Sequence, residues 1–324
     1  MRRVIGITLT VLGSFLLAFA LLLRLWVPGK VITFPLNEYA VTTLAGNHVS
    51  YFSPASLKEY TGVTANATQT LDGDVKSGSP TTAVWGSFTA LEDTTNHTGI
   101  QYVSQRSAFD RRSGELVSCC AAAVGDNTRV RQSGQGFRFP FGTQHRAYQV
   151  FDVTLLRPVT FEFVETGTID GMPADKFVEH VVNRRFGQQT LPGPLVGLKR
   201  QATVTLPEYL SATNTYWIDP VTGTPIDVIL DQTVALRDSS GANRLVLLGG
   251  RMPETPASVR AAVASARQSH SKIEWIEDIW PLIGILLGIV ALVFGIRLIW
   301  QAQPSWEPAY EDDEEDAYRR AGST

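Results

Sequence analysis

The two cysteines of the chain, Cys119 and Cys120, are the residues with the most distinctive chemistry, because they are adjacent. Their Cα atoms lie about 3.8 Å apart across a trans peptide, whereas disulfides usually join Cα atoms about 4.4–6.8 Å apart. A bond between them would be strained and could serve as a redox switch, and an intermolecular bridge is a further use of the thiols. The simplest interpretation makes both cysteines small residues of a β-strand that continues through residues 121–123. We favour that interpretation and keep Cys119 and Cys120 as a candidate disulfide or redox pair.

Other residue patterns for catalysis or metal binding are absent from the sequence. It contains no G-x-S-x-G, no H-E-x-x-H and no P-loop. Residues 72–77 begin like a calcium loop, but Lys76 occupies a ligand position and Ser77 replaces the required glycine. The histidines lack the spacing of zinc ligands; they are His48, His97, His145, His180 and His270. We therefore predict a protein that is not an enzyme, with no catalytic residue, no cofactor and no metal.

An extracytoplasmic enzyme is the alternative, and it would need carboxylates gathered in a cleft with perturbed pKa values. Glu162, Asp170, Asp175 and Asp227 are the candidates if the fold brings them together.

The composition indicates a chain that sits partly in lipid. Charged residues make up 18 % of the 324 residues, below the roughly 25 % of typical soluble proteins. The formal net charge of −3 argues against a nucleic-acid partner.

Two apolar runs, residues 4–23 and 279–300, are each long enough to cross a bilayer. Arg2 and Arg3 place the N-terminus, residues 1–3, in the cytoplasm by the positive-inside rule. A two-pass topology follows for the plasma membrane, with residues 24–254 outside the cytoplasm. The bilayer itself is therefore a partner of the chain.

The second run contains Gly284 and Gly288, whose small-xxx-small spacing lets helices approach closely. We predict helix packing at these two glycines. The tail, residues 301–324, carries a block of six acidic residues and is predicted to be disordered and cytoplasmic.

The outer segment alternates apolar and polar residues with a period of two, which predicts a mainly β, antiparallel domain. Two D-x-x-x-G turns, at residues 110–114 and 219–223, predict hairpins: 99–109 against 115–124 and 213–218 against 225–234. Residues 187–197 contain two prolines and are predicted to be a loop. Residues 255–278 are predicted to form a juxtamembrane helix, capped by Thr255 with a proline following it. The predicted strands are 83–91, 99–109, 159–165, 176–182, 202–206, 213–218, 226–236 and 244–248.

Several motifs, in this order between two spans, resemble a known family. They are FDRRSGE at residues 109–115, GFRFPF at 136–141, YQVFD at 148–152 and YWIDPVTGTP at 216–225. The chain is similar to the actinobacterial two-span membrane proteins called the porin PorA family. The last motif also resembles a hairpin of LolA-like and RseB-like envelope proteins, which are curved antiparallel half-barrels. That resemblance implies a curved antiparallel sheet between the two spans, with a half-barrel as the form to test.

The resemblance implies a cell-envelope protein whose outer domain binds, or helps to transfer or mature, an envelope lipid or lipoglycan. A non-catalytic scaffold that holds an envelope-biosynthesis enzyme is the first alternative, and a pore is the second. Fold analogy alone does not decide between them.

Overall fold

The computed structural model describes residues 1–301, which form two compact units: Met1–Lys30 together with the chain from Glu274, and Val31–Ile273. The predicted tail, from residue 302 onward, lies outside the described residues. The elements in chain order are α1 (Arg2–Leu25), α2 (Pro28–Val31), β1 (Tyr39–Ser53), β2 (Lys58–Gly73), β3 (Thr82–Asp93), β4 (Thr98–Asp110), β5 (Leu116–Val117), β6 (Ala123–Val124), β7 (Tyr148–Asp152), β8 (Arg157–Ile169), β9 (Met172–Pro192), a 3-10 turn (Gly193–Val196), β10 (Thr203–Ile218), β11 (Pro225–Arg237), β12 (Asn243–Pro253), α3 (Pro256–Glu274), a π-helical turn (Trp275–Ile279) and α4 (Trp280–Gln301).

The helical unit consists of α1 and α4, both long and apolar enough to cross a membrane. They pack through small residues, which let the two backbones come close. A Cβ atom built at Gly13 would lie 2.8 Å from the carbonyl oxygen of Gly288, and one built at Gly284 would lie 3.0 Å from the Cβ of Ala20. The two glycines singled out in the sequence therefore lie on the face of α4 that contacts α1.

The β unit is one curled antiparallel half-barrel sheet, which confirms the mainly β prediction. The strand order is β5-β4-β3-β2-β1-β12-β11-β10-β9-β8-β7, and β6 also pairs with β4. Strands β1 to β5 therefore run in order from the centre of the sheet to one edge. Strands β7 to β12 run in order from the other edge back to the centre. The first and last strands meet at the centre, where Tyr51 pairs with Leu248.

Side chains on one face of the sheet form most of the hydrophobic core. Trp85 on β3 and Phe109 on β4 share a buried cluster with Phe151 on β7, although these strands lie toward opposite ends of the sheet. Leu44 on β1 and Met252 on β12 share a second cluster. Because strands from both ends meet through this face, it is the concave face, and alternate side chains point to the convex face.

The connection between β6 and β7, residues 125–147, is named the crossing segment because it contacts both halves of the sheet. Gln135 forms isolated bridges with Glu115, beside β5, and with Val150 on β7, so it joins the two end strands. Phe139 is buried among aromatic side chains of β7, β8 and β9. The crossing segment therefore fills part of the concave face.

Three local predictions were wrong. The predicted loop at 187–197 is mostly strand, because β9 continues to Pro192 and pairs with Thr203 of β10 before the 3-10 turn. The predicted strand at 115–124 is interrupted: only β5 and β6 pair with β4, and a turn separates them. Cys119 and Cys120 lie in that turn, so their assignment to a strand was wrong as well.

Helix α3 packs on the β unit. Val263 and Ala266 are buried against Met172, Ala174 and Ile226. The backbone N–H of Ser258 donates to the Thr255 hydroxyl over 3.3 Å, so Thr255 caps the helix as its sequence position predicts.

Candidate functional site

A groove of about 330 Å³ lies on the convex face of β2, β3 and β4. That volume is at the small end of the range for ligand pockets. Thr70 pairs with Phe88, and Phe88 with Ser104, so these three residues form one row across the groove. Asp72, Gly86 and Arg106 form the next row in the same way. The complete lining is Thr70, Asp72, Asp74, Gly86, Ser87, Phe88, Ser104, Gln105, Arg106, Ala123 and Gly125.

Gly86 provides an open floor. A Cβ atom placed there would meet only backbone oxygens of Asp72 and Gln105, at 3.9 and 4.0 Å. A larger side chain at this position would therefore project into the groove rather than into the protein.

Arg106 links three parts of the groove wall. Its Nη2 donates to Asp74 Oδ2 over 2.7 Å and to Ser77 Oγ over 3.0 Å, and its Nε donates to the Cys120 carbonyl over 3.1 Å. The hydrogen bond from Arg106, supported by those from Ser77, lowers the pKa of Asp74 to about 2. Asp74, which the sequence analysis considered as part of a failed calcium loop, is thus an anionic partner of Arg106 and a turn-forming residue.

Two exposed aromatic rings extend from the groove along the convex face. Phe88 is 49 % exposed and Tyr102 is 59 % exposed. Their ring centroids are 6.1 Å apart and their planes differ by 9°, so the rings are stacked. Large apolar side chains are costly to leave in water, and a stacked pair beside hydrogen-bonding groups is typical of a recognition surface.

The candidate disulfide pair lies beside this groove. Cys119 and Cys120 are bonded to each other in the structure and both are exposed. Cys120 and Ala121 have φ values of 62° and 59°, in the left-handed region that residues with a Cβ seldom adopt. Their turn connects β5 to β6, and β6 carries Ala123, one of the groove-lining residues.

A second polar cluster is buried on the concave face. Glu179 is 1 % exposed; its Oε2 accepts from Asn214 Nδ2 over 2.7 Å, whereas its Oε1 has no hydrogen-bond partner. Burial, and next the charge of Asp152, raise the pKa of Glu179 to about 7. Burial also raises the pKa of Glu254 to about 8, with a contribution from Asp227. The pKa of Tyr216 is raised by burial and by these acids.

The carboxylates considered for an enzyme are not gathered in one cleft. Asp175 is buried, and its Oδ2 lies 3.1 Å from His145 Nε2. Asp227 is near Asp170, whose charge adds to burial in raising the pKa of Asp227. Glu162 is exposed on β8. Within residues 1–301, no three His, Cys, Asp or Glu side chains are placed to hold a metal ion.

Sequence reasoning missed Phe88 and Arg106. The alternation in residues 83–91 and 99–109 shows which neighbours share a face within each strand. The pairing of β3 with β4, which brings the two residues to one groove, depends on register that the sequence pattern does not give.

Fold and site together define a protein with two helices of membrane-spanning length and a curled antiparallel β unit with a groove on its convex face. The chain belongs to the porin PorA family, which it matches over residues 5–297. The resemblance of the motifs to the porin PorA family is thereby confirmed. No curated protein matches the chain.

Proposed function

We propose that the protein is a plasma-membrane-anchored, non-enzymatic binding module of the cell envelope of an actinobacterium. In this proposal its β unit lies outside the cytoplasm and binds the sugar portion of an envelope lipoglycan in the groove. The observation that carries the proposal is the combination, on one face, of the Arg106–Asp74 ion pair and the stacked Phe88–Tyr102 rings.

Sugar rings match this combination of groups. One face of a pyranose carries C–H groups that pack on an aromatic ring, and its edge carries hydroxyls that both donate and accept. Thr70, Asp72 and Ser104 line the groove with hydroxyl and carboxylate oxygens within reach of such an edge. Arg106 adds a fixed cationic donor, because its contacts to Asp74 hold the guanidinium in place.

The two helices of membrane-spanning length support the same proposal. A ligand that is itself anchored in the membrane by its lipid would meet a tethered binding domain at high effective concentration. Arg2 and Arg3 favour cytoplasmic termini, which leaves the β unit on the outer side where lipoglycans are assembled.

Acyl-chain binding by the concave face has less support. The crossing segment and buried aromatic residues, including Trp85, Phe139 and Phe177, occupy that face. We therefore propose that the protein binds the sugar portion of the lipoglycan and not its lipid tail.

Two other functions stay open to test. The family description and the curled sheet favour a pore. Ions that crossed such a pore would have to pass between the buried aromatic residues of the concave face. A scaffold for an envelope-biosynthesis enzyme would instead show a specific partner enzyme when the full chain is purified.

The full-length protein in detergent should be applied to an array of oligosaccharides that includes mannose and arabinose oligomers. We expect at least one class to bind. Phe88→Ala should weaken binding about fivefold, because the stacking contribution of an aromatic ring is about 1 kcal/mol. Gly86→Val should abolish binding by filling the floor of the groove, and the exposed Val164 offers a matched control in Val164→Ala.

Native mass spectrometry of the same sample detects any lipid that stays bound to the protein. Binding of an oligosaccharide by the wild type and by Val164→Ala, with loss in Gly86→Val, supports the proposal. A protein that binds none of the oligosaccharides but retains a sugar-free lipid would overturn it and favour an acyl carrier. Conductance in a planar bilayer that Phe88→Ala leaves unchanged would favour the pore.

A further inference from the structure

The turn that holds Cys119 and Cys120 leads directly into the groove wall, because Ala123 and Gly125 follow it in the chain and line the groove. The N–H of Ala122 donates to the Cys119 carbonyl over 3.1 Å, and the N–H of Gly125 donates to the Ser104 carbonyl over 2.7 Å. Gly125 and Ser104 both line the groove. A change in the conformation of this turn would therefore shift residues of the groove wall.

The direct link runs through the carbonyl of Cys120. Cys120 has a positive φ, and in that conformation its carbonyl oxygen accepts from Arg106 Nε. The other end of the same guanidinium holds Asp74 and Ser77. Bonding between the two sulfurs closes a small ring that restricts the backbone at Cys119 and Cys120, so it helps to hold a conformation that is otherwise costly for a residue with a Cβ.

We propose that Cys119–Cys120 is a thiol–disulfide exchange site for a dithiol reductant, and that its oxidation state sets the shape of the groove. Both cysteines are exposed, which gives an incoming thiolate access to the sulfurs. When the bond is broken, Cys120 and Ala121 leave the left-handed region, and Arg106 loses the Cys120 carbonyl as an acceptor. The effect on ligand affinity rests on the proposed function, whereas the change in the turn does not.

The exchange balances with a dithiol as the only co-reactant. A thiolate of the reductant attacks one sulfur of the Cys119–Cys120 bond, forms a mixed disulfide and releases the other cysteine as a thiolate, which takes up a proton. The second thiolate of the reductant then attacks the reductant's sulfur in the mixed disulfide, forms the reductant's internal disulfide and releases the second cysteine as a thiolate, which also takes up a proton. The dithiol loses two electrons and becomes a disulfide, and Cys119 and Cys120 end as two thiols.

The chain contains only these two cysteines, so a reductant can act at no other disulfide of the protein. The full-length protein in detergent should be compared with and without dithiothreitol by hydrogen exchange, after trapping of thiols by an alkylating reagent to count them. We expect two alkylated thiols after reduction, and at least tenfold faster exchange in peptides covering residues 119–125. Peptides from β10 and β11 should be unchanged. Phenylarsine oxide, which bridges adjacent thiols, should bind the reduced protein only.

The double variant Cys119→Ser/Cys120→Ser serves as the control. It should show the fast exchange of the reduced protein and should not respond to dithiothreitol. Unchanged exchange after complete reduction overturns the inference, and so does a disulfide that excess dithiothreitol leaves intact. If exchange changes but no oligosaccharide binds in either oxidation state, the proposed function fails while the redox site stands. If an oligosaccharide binds with the same affinity in both states, the control of the groove is refuted.

Discussion

Replacing Glu179 with glutamine should make the β unit more resistant to alkaline pH. The side chain is almost fully buried, and one of its carboxylate oxygens has no hydrogen-bond partner. Burial raises its pKa from the ordinary 4.5 to about 7, so the unfolded chain ionises at lower pH than the folded protein. Ionisation of Glu179 therefore favours unfolding, and Glu179→Gln removes that effect.

The size of the effect follows from the two pKa values. Below pH 4.5 both states are protonated and the group contributes almost nothing. Between 4.5 and 7 the folded protein binds the proton that the unfolded chain has lost, so stability falls as pH rises, and above 7 the loss is complete. The destabilisation by Glu179 is close to zero at pH 4, about 2 kcal/mol at pH 6 and about 3 kcal/mol at pH 8.

Thermal unfolding of the full-length protein in detergent, followed by tryptophan fluorescence, measures this difference. The new amide places a donor where Glu179 Oε1 lacks a partner, which costs a constant amount at all pH values. The prediction therefore concerns the change with pH: the Tm of Glu179→Gln minus that of the wild type should rise by about 6–12 °C between pH 4 and pH 8. Glu162→Gln, at an exposed position on the neighbouring β8, is the matched control and should show no such rise. A Tm difference for Glu179→Gln that stays constant over this range would refute the reasoning, because it would mean that Glu179 ionises as it does in water.

Two further predictions concern contacts of the crossing segment. Gly223 has φ 67° and a Cβ there would overlap the Phe139 carbonyl, so Gly223→Ala should cost about 3 kcal/mol or more; Gly62→Ala, at the same φ but with open space, should cost only about 1 kcal/mol. Comparable melting shifts for the two alanine variants would contradict this account. Arg138 is mostly buried and pairs with Glu38 over 2.6 Å, so Arg138→Met should cost about 3–5 kcal/mol by leaving Glu38 without its partner. Adding Glu38→Gln should recover part of that loss in a double-mutant cycle of thermal unfolding. Purely additive effects of the two substitutions would show that the loss of stability does not come from the broken ion pair.

The sequence predicted β3, β4 and β11 best, because their predicted and observed bounds differ by only one or two residues. β1 was missed because its register shifts between Gly46 and Val49, which breaks the period of two.

Positions that depend on long-range pairing could not be predicted. The pairing of β1 with β12 joins residues about two hundred positions apart, and nothing local encodes it. The same holds for the groove, because Phe88 and Arg106 come together only through the register of β3 and β4. The turn at Cys119 and Cys120 was missed because its left-handed backbone falls on residues that do not favour it.

The central position of the β1–β12 pair has a consequence for how the domain is made. Strands β1 to β5 are synthesised first, as a set of neighbouring hairpins, but the inner edge of β1 has no partner until β12 emerges last. Until then each half-sheet presents a long open edge and an uncovered aromatic face, which are the features that promote misassembly between chains. A chain that ended before Asn243 would keep eleven of the twelve strands and still lack the seam that makes them one sheet. Such a truncated chain should accumulate as aggregates rather than as a smaller domain.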